Sequence, residues 1–153
     1  MRLALYQPDI PQNTGTILRL AACLGVDVDV IGPTGFDMTD RSLRRAGLDY
    51  LDHVAITRHE TFEQFQVAKP GRLILLSSHA ETPHHEFAFL ASDTLMLGRE
   101  SAGVPDVVHA VADARIRIPM QPGLRSLNIA VAAALVLGEA LRQTGGFPPA
   151  DSA

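Results

Sequence analysis

The chain has one cysteine, Cys23, among 153 residues, so no internal disulfide can brace it and its stability must come from a buried core. Cys23 falls within an apolar helical pattern and reads as a small buried side chain of a reduced, cytoplasmic protein. Excess positive charge is also missing. The net charge of −4 excludes a protein that coats nucleic acid by bulk basicity, so any nucleic-acid site must be local. No apolar run free of helix breakers is long enough to span a membrane, and the opening "MRLALYQPDIP" breaks at Pro8, before a signal peptide's apolar region could form. Repeats, low-complexity segments and linkers are absent too. That leaves one domain over residues 1–146 and a frayed tail over 147–153. A dinucleotide fold would place a Gly-rich turn after its first strand, but "QPDIPQNTG" stands there instead.

Six short apolar or β-branched runs are present: "RLALYQ", "VDVDVIG", "HVAITR", "RLILLSS", "DTLMLG" and "RIRIPM". Helical patterns lie between them, in "QNTGTILRLAACLG", "TDRSLRRAG", "HETFEQFQVA", a short piece around "PHHEFAFLA", "VPDVVHAVA" and a long final helix. The alternation predicts an α/β fold, a mostly parallel six-stranded sheet with helices on both faces. Gly98, Gly103 and Gly123, the glycines that let backbone approach a ligand, come late and just past strands. A pocket therefore belongs to the C-terminal half.

In the first helix, Asn13 is placed to cap the N-terminus and Gly15 to allow close backbone approach. Ile17, Leu18, Ala21 and Leu24 form the core stripe, which leaves Arg19 on the polar side. Arg41, Arg44 and Arg45 share a helix face, either a solvated surface or a local set of phosphate contacts. Glu100 follows a strand and a glycine turn, and is either an acid at a helix start or a ligand contact. His84 and His85 are adjacent, so they do not face one ligand, and no metal site is expected. The last helix has no polar side chain from Ile129 to Leu137, so it must be covered on every side. Ser126, as its cap, would sit at a helix front suited to a polar ligand. Val136 is the position expected to face a second copy.

Three segments in order, "NTGTILR", "LMLGRESAGVP" and "RIPMQPGLRSLNIAVAAALVLGEALRQ", resemble the three motifs of the SPOUT superfamily of trefoil-knotted, S-adenosylmethionine-dependent RNA methyltransferases. The resemblance covers essentially the whole chain. The short length, "LRRAGLDY" and "IRIPM" look like the subgroup that methylates the ribose 2′-OH of the first anticodon nucleotide of tRNA, a cytidine or modified uridine. It implies that the chain after Ile118 threads a preceding loop to form the knot, an exception to the rule against threading. It also implies that Leu76, Gly98, Ile118, Met120, Ser126 and Leu127 hold S-adenosylmethionine, that Arg19 acts on the target ribose with Ser126 orienting the hydroxyl, and that the enzyme is a homodimer. Arg41, Arg44 and Arg45 then read as tRNA contacts. Two positions depart from the family pattern: Arg99 stands where many relatives have proline, and Gly138 where many have tyrosine. The alternatives are the same chemistry on another tRNA or rRNA site, and a non-catalytic RNA-binding knot protein.

Overall fold

A computed structural model describes residues 1–150; residues 151–153, the end of the expected tail, lie outside the described residues. The first half runs β1 (Arg2–Tyr6), α1 (Pro11–Leu24), β2 (Asp27–Ile31), α2 (Arg41–Gly47), a 3₁₀ turn (Leu48–His53), β3 (Ile56–His59) and α3 (Phe62–Ala68). The second half runs β4 (Leu73–Leu76), β5 (Thr82–Pro83), β6 (Thr94–Leu97), α4 (Asp106–Val111), β7 (Ala114–Arg117) and α5 (Ile129–Thr144). The strands form one sheet in the order β3-β2-β1-β6-β4-β7-β5. Every strand pair in it is parallel. Such a sheet must be covered on both sides, and it is.

On one face Leu3, Leu5, Val28, Ile74, Leu95 and Ile116 pack against α1, against Leu43 of α2, and against Ala133, Leu137 and Ala140 of α5. On the other, Ala4, Tyr6, Leu73, Leu75 and Met96 meet Phe62 and Phe65 of α3 and Val108 of α4. The six predicted runs are all strands, but the sheet has seven. The extra strand, β5, is two residues long and pairs with β7 through Thr82↔Ile116 and Pro83↔Arg117. So short a strand has no hydrophobic period to read, and its proline is tolerated at an edge. The helix expected around "PHHEFAFLA" shrinks to a 3₁₀ turn over His84–Glu86. Beyond it the chain is clipped to α5, where Gln143 accepts from the Phe89 N–H and donates to the Phe87 carbonyl.

Four local expectations are corrected. Helix α1 starts at Pro11 with Ile10 at its cap, so Asn13 lies inside the first turn; proline, preset for that position and lacking the N–H, fixes the start. The cap of α5 is Asn128, whose side chain accepts from the Ala130 and Val131 N–H groups, and Ser126 sits in the loop before it. Val136 is 3% exposed and packs in the core. Its neighbours Val131 and Leu135 are 49% and 46% exposed and take the outer side. Cys23 is exposed because it lies one helical turn beyond Arg19, on the polar side of α1. Gly15 does what its size suggests. A Cβ there would lie 2.3 Å from the Leu43 carbonyl oxygen and 2.8 Å from Ala46 Cβ, so α1 and α2 touch backbone to backbone.

Candidate active site

In a parallel sheet, ligands gather at the carboxyl ends of the strands, and here three loops leave those ends together. Ser77–His79 follows β4, the turn from Gly98 to Val104 follows β6, and the segment from Ile118 to Asn128, neither helix nor strand, follows β7 and leads into α5. They enclose a cavity of about 550 Å³, within the usual size for small-molecule sites. Leu76, Gly98, Ile118, Met120, Ser126 and Leu127 all line it, with Glu100, Asp106 and His109. The Gly98 turn is closed by the Arg99 N–H to Gly103 carbonyl bond at 3.1 Å and its reciprocal at 2.8 Å. A Cβ on Gly98 would sit 2.8 Å from Gly103 backbone, so the turn needs glycine.

A polar tie fastens this turn to the loop before α1. The Asp9 N–H donates to Glu100 Oε2 at 3.0 Å, the Ser101 hydroxyl donates to Asp9 Oδ2, and Arg99 stands 3.6 Å from the same carboxylate. Arg99 also donates to Gln7 Oε1 at 3.3 Å, and Gln7 has φ of +41°. Burial, then the pairing of its carboxyl group with the Asp9 side chain, raises the Glu100 pKa against the lowering by the Asp9 N–H; the same carboxyl pairing, then Ser101 and Arg99, lowers that of Asp9 to about 2. Glu100 is therefore no helix-start acid but a link between two loops. Arg99 Nε is buried with no hydrogen-bond partner among the described residues, a donor left over beside the cavity. Nothing in the local sequence signals the tie to Asp9, because its partners lie 91 and 92 positions away.

Arg19 is not on the cavity wall. It projects from the exposed side of α1 with its guanidinium 4.6 Å from the centre of the Tyr50 ring. Arg41, Arg44 and Arg45 are all exposed on α2, and among the described residues none makes an ion pair. The front of α5 is joined to α1 by the Asn128 amide donating to Asn13 Oδ1 at 3.0 Å. That bond closes one end of a shallow groove lined by Thr16, Leu20, Ala130, Val131 and Ala134. A Cβ on Gly138 would meet nothing within 4 Å, so the space for a larger side chain is open. Among the described residues no cluster of His, Cys, Asp or Glu could hold a metal ion, and no helix is long and apolar enough to cross a membrane.

The cavity is part apolar and part polar. Leu75, Leu76, Ile118, Met120 and Leu127 supply apolar wall, loop backbone supplies polar groups, and Glu100 and Asp106 supply carboxyl groups. The profile of the SpoU rRNA methylase family matches residues 1–138. The chain belongs to the SpoU rRNA methylase family. It is 61% identical over 148 residues to the tRNA (cytidine(34)-2'-O)-methyltransferase of Beijerinckia indica, covering 95% of this chain and 92% of that one. The enzyme of the same name from Escherichia coli is 42% identical over 95% of this chain and 94% of its own length. Among solved structures, one that gives insights into the 2-OH methylation of C/U34 on tRNA superposes with a TM-score of 0.89 at 42% identity, covering 93% of this chain and 94% of that one. Another family member, AviRb from Streptomyces viridochromogenes in complex with AdoMet, superposes at 0.85 with 27% identity, over 94% of this chain and 60% of that one.

Proposed function

We propose that this chain transfers a methyl group from S-adenosylmethionine to the ribose 2′-OH of the first anticodon nucleotide, cytidine or modified uridine, of tRNA. We propose further that it acts in the cytoplasm as a homodimer whose chain is knotted after Ile118. One observation carries the reading: in a SpoU family chain, the six residues implied to hold the cofactor come from three separate strand ends and line one cavity. The names of the relatives support the tRNA target. When bound, S-adenosylmethionine supplies a methyl group activated on a sulfonium. The transfer forms one O–C bond, breaks one S–C bond and releases the hydroxyl proton.

This chain's residues would then do the following. Leu76, Ile118, Met120 and Leu127 grip the apolar part of the cofactor, and Gly98 brings backbone close to it. Ser126, exposed at the cavity edge, orients the hydroxyl. A guanidinium stays protonated, so Arg19 stabilises developing negative charge or clamps the adjacent phosphate and is not the base. Because Arg19 lies off its own cavity, it would serve the site through a second copy. The apolar groove of α1 and α5, with Val131 and Leu135 exposed beside it, is the face for that copy. Arg41, Arg44 and Arg45 would meet tRNA phosphates on an otherwise acidic protein. The test is nucleoside mass spectrometry of tRNA treated with the wild type and with Arg19→Ala. Loss of about 100-fold or more in methylation with unchanged cofactor affinity is expected; wild-type activity would remove Arg19 from the site.

A further inference from the structure

We propose that Tyr50 is a positioning residue for Arg19: its ring fixes the guanidinium without neutralising it. The inference rests on the functional reading of Arg19 given above. Arg19 is exposed and ends a long flexible side chain, yet among the described residues it has no ion pair or side-chain hydrogen bond; what it has is the face of Tyr50, at 4.6 Å. A carboxylate could hold a guanidinium equally well, but it would cancel the charge and occupy the N–H donors. An aromatic face attracts the cation through its quadrupole and leaves the donor edge open. That is the arrangement an arginine needs if it is to meet a phosphate or a developing alkoxide.

The fold builds this contact by steps. Gly15 lets the α2 backbone lie directly on α1. Arg19 is one helical turn on from Gly15, so it lies on the same side of α1. At Gly47 the backbone is still right-handed helical and passes directly into the Leu48–His53 turn, whose Leu51 side chain lies over the glycine and whose Tyr50 meets Arg19. The arginines of α2 and Arg19 therefore belong to one packed unit. RNA phosphates that dock on Arg41, Arg44 and Arg45 find Arg19 already aimed, and Tyr50 is the piece that keeps the aim.

The experiment compares Tyr50→Phe and Tyr50→Leu, each with Arg19 intact and with Arg19→Ala, by single-turnover methylation, tRNA affinity and S-adenosylmethionine affinity. Phe keeps the ring and should stay within about twofold of wild type. Leu removes the ring and should slow methylation by about 5- to 100-fold, between the loss of one cation–π contact and the misplacement of a reacting group. Cofactor affinity should not move, and in the Arg19→Ala background the Leu substitution should add nothing to either tRNA affinity or residual rate. If the Leu variant does not fold, Tyr50→Met fills the space flexibly and gives the same comparison. Full activity without the ring, or an equal loss whether or not Arg19 is present, would overturn the role of Tyr50. Full activity of Arg19→Ala alone would instead overturn the role of Arg19.

Discussion

Gly15→Ala should loosen the protein although alanine is the better helix former. The added Cβ would lie 2.3 Å from the Leu43 carbonyl oxygen and 2.8 Å from Ala46 Cβ. A carbon settles against such an oxygen at about 3.3 Å, so α2 must back away by about 1 Å. Neither neighbour can rotate aside, since one is backbone and the other a methyl group. Overpacking of this kind costs about 1–3 kcal/mol, and the rigid neighbours put it in the upper half of that range. Replacing an interior helical glycine with alanine returns about 1 kcal/mol. The net is a loss of about 1–2 kcal/mol, or about 3–6 °C of melting temperature for a chain of this size. Urea titration and calorimetry measure it. A tRNA-binding assay alongside should show weakened affinity, because displacing α2 displaces its arginines and Tyr50. A variant more stable than wild type, with tRNA affinity intact, would show that α1 and α2 do not meet as described.

Two further outcomes are expected. Leu135→Glu places a charge on the exposed side of α5 without touching the core, and should convert the proposed dimer to monomer in sedimentation and abolish methylation; a dimer that persists at low micromolar concentration would exclude this face as the interface. Glu100→Gln removes a carboxyl whose pKa is raised in the folded chain, first by burial and then by its bond with Asp9. Stability from such a group is full below its unfolded value and is lost as pH rises through the folded one, so the variant should gain on wild type as pH rises above about 4.5. The depressed Asp9, whose contribution is lost only as pH falls through about 2, does not interfere in that window. Parallel melting curves across that range would refute the link.

The strands were legible because buried parallel strands are continuous apolar runs, as "RLALY" and "TLML" are. β5 was not, since two residues carry no pattern. The helix starts were misplaced for different reasons: before α5 both Ser126 and Asn128 could cap and only tertiary structure decides for Asn128, whereas α1 has no side-chain cap at all. Pro11 was the better signal for α1. Choosing Val136 over Leu135 as the outer residue failed because a helix apolar all round has no moment to say which side meets its own sheet. The cavity residues were readable through the family resemblance, motif by motif. The tie from Asp9 to Arg99, Glu100 and Ser101 was not, because its partners meet only after the sheet has brought β1 beside β6.

That neighbourhood has a consequence for how the protein is made. β1 lies in the interior of the sheet, between β2 and β6. One of its edges is satisfied soon after synthesis by β2, but the other waits for Leu95 and its neighbours to leave the ribosome, roughly 5–20 s after Leu3 at about 5–20 residues per second. For that interval Leu3 and Leu5 sit in a strand with open backbone N–H and C=O groups, a template for any other strand in reach. The nascent chain thus spends seconds with one edge of β1 open, an exposure that the stability of the finished fold does nothing to shorten.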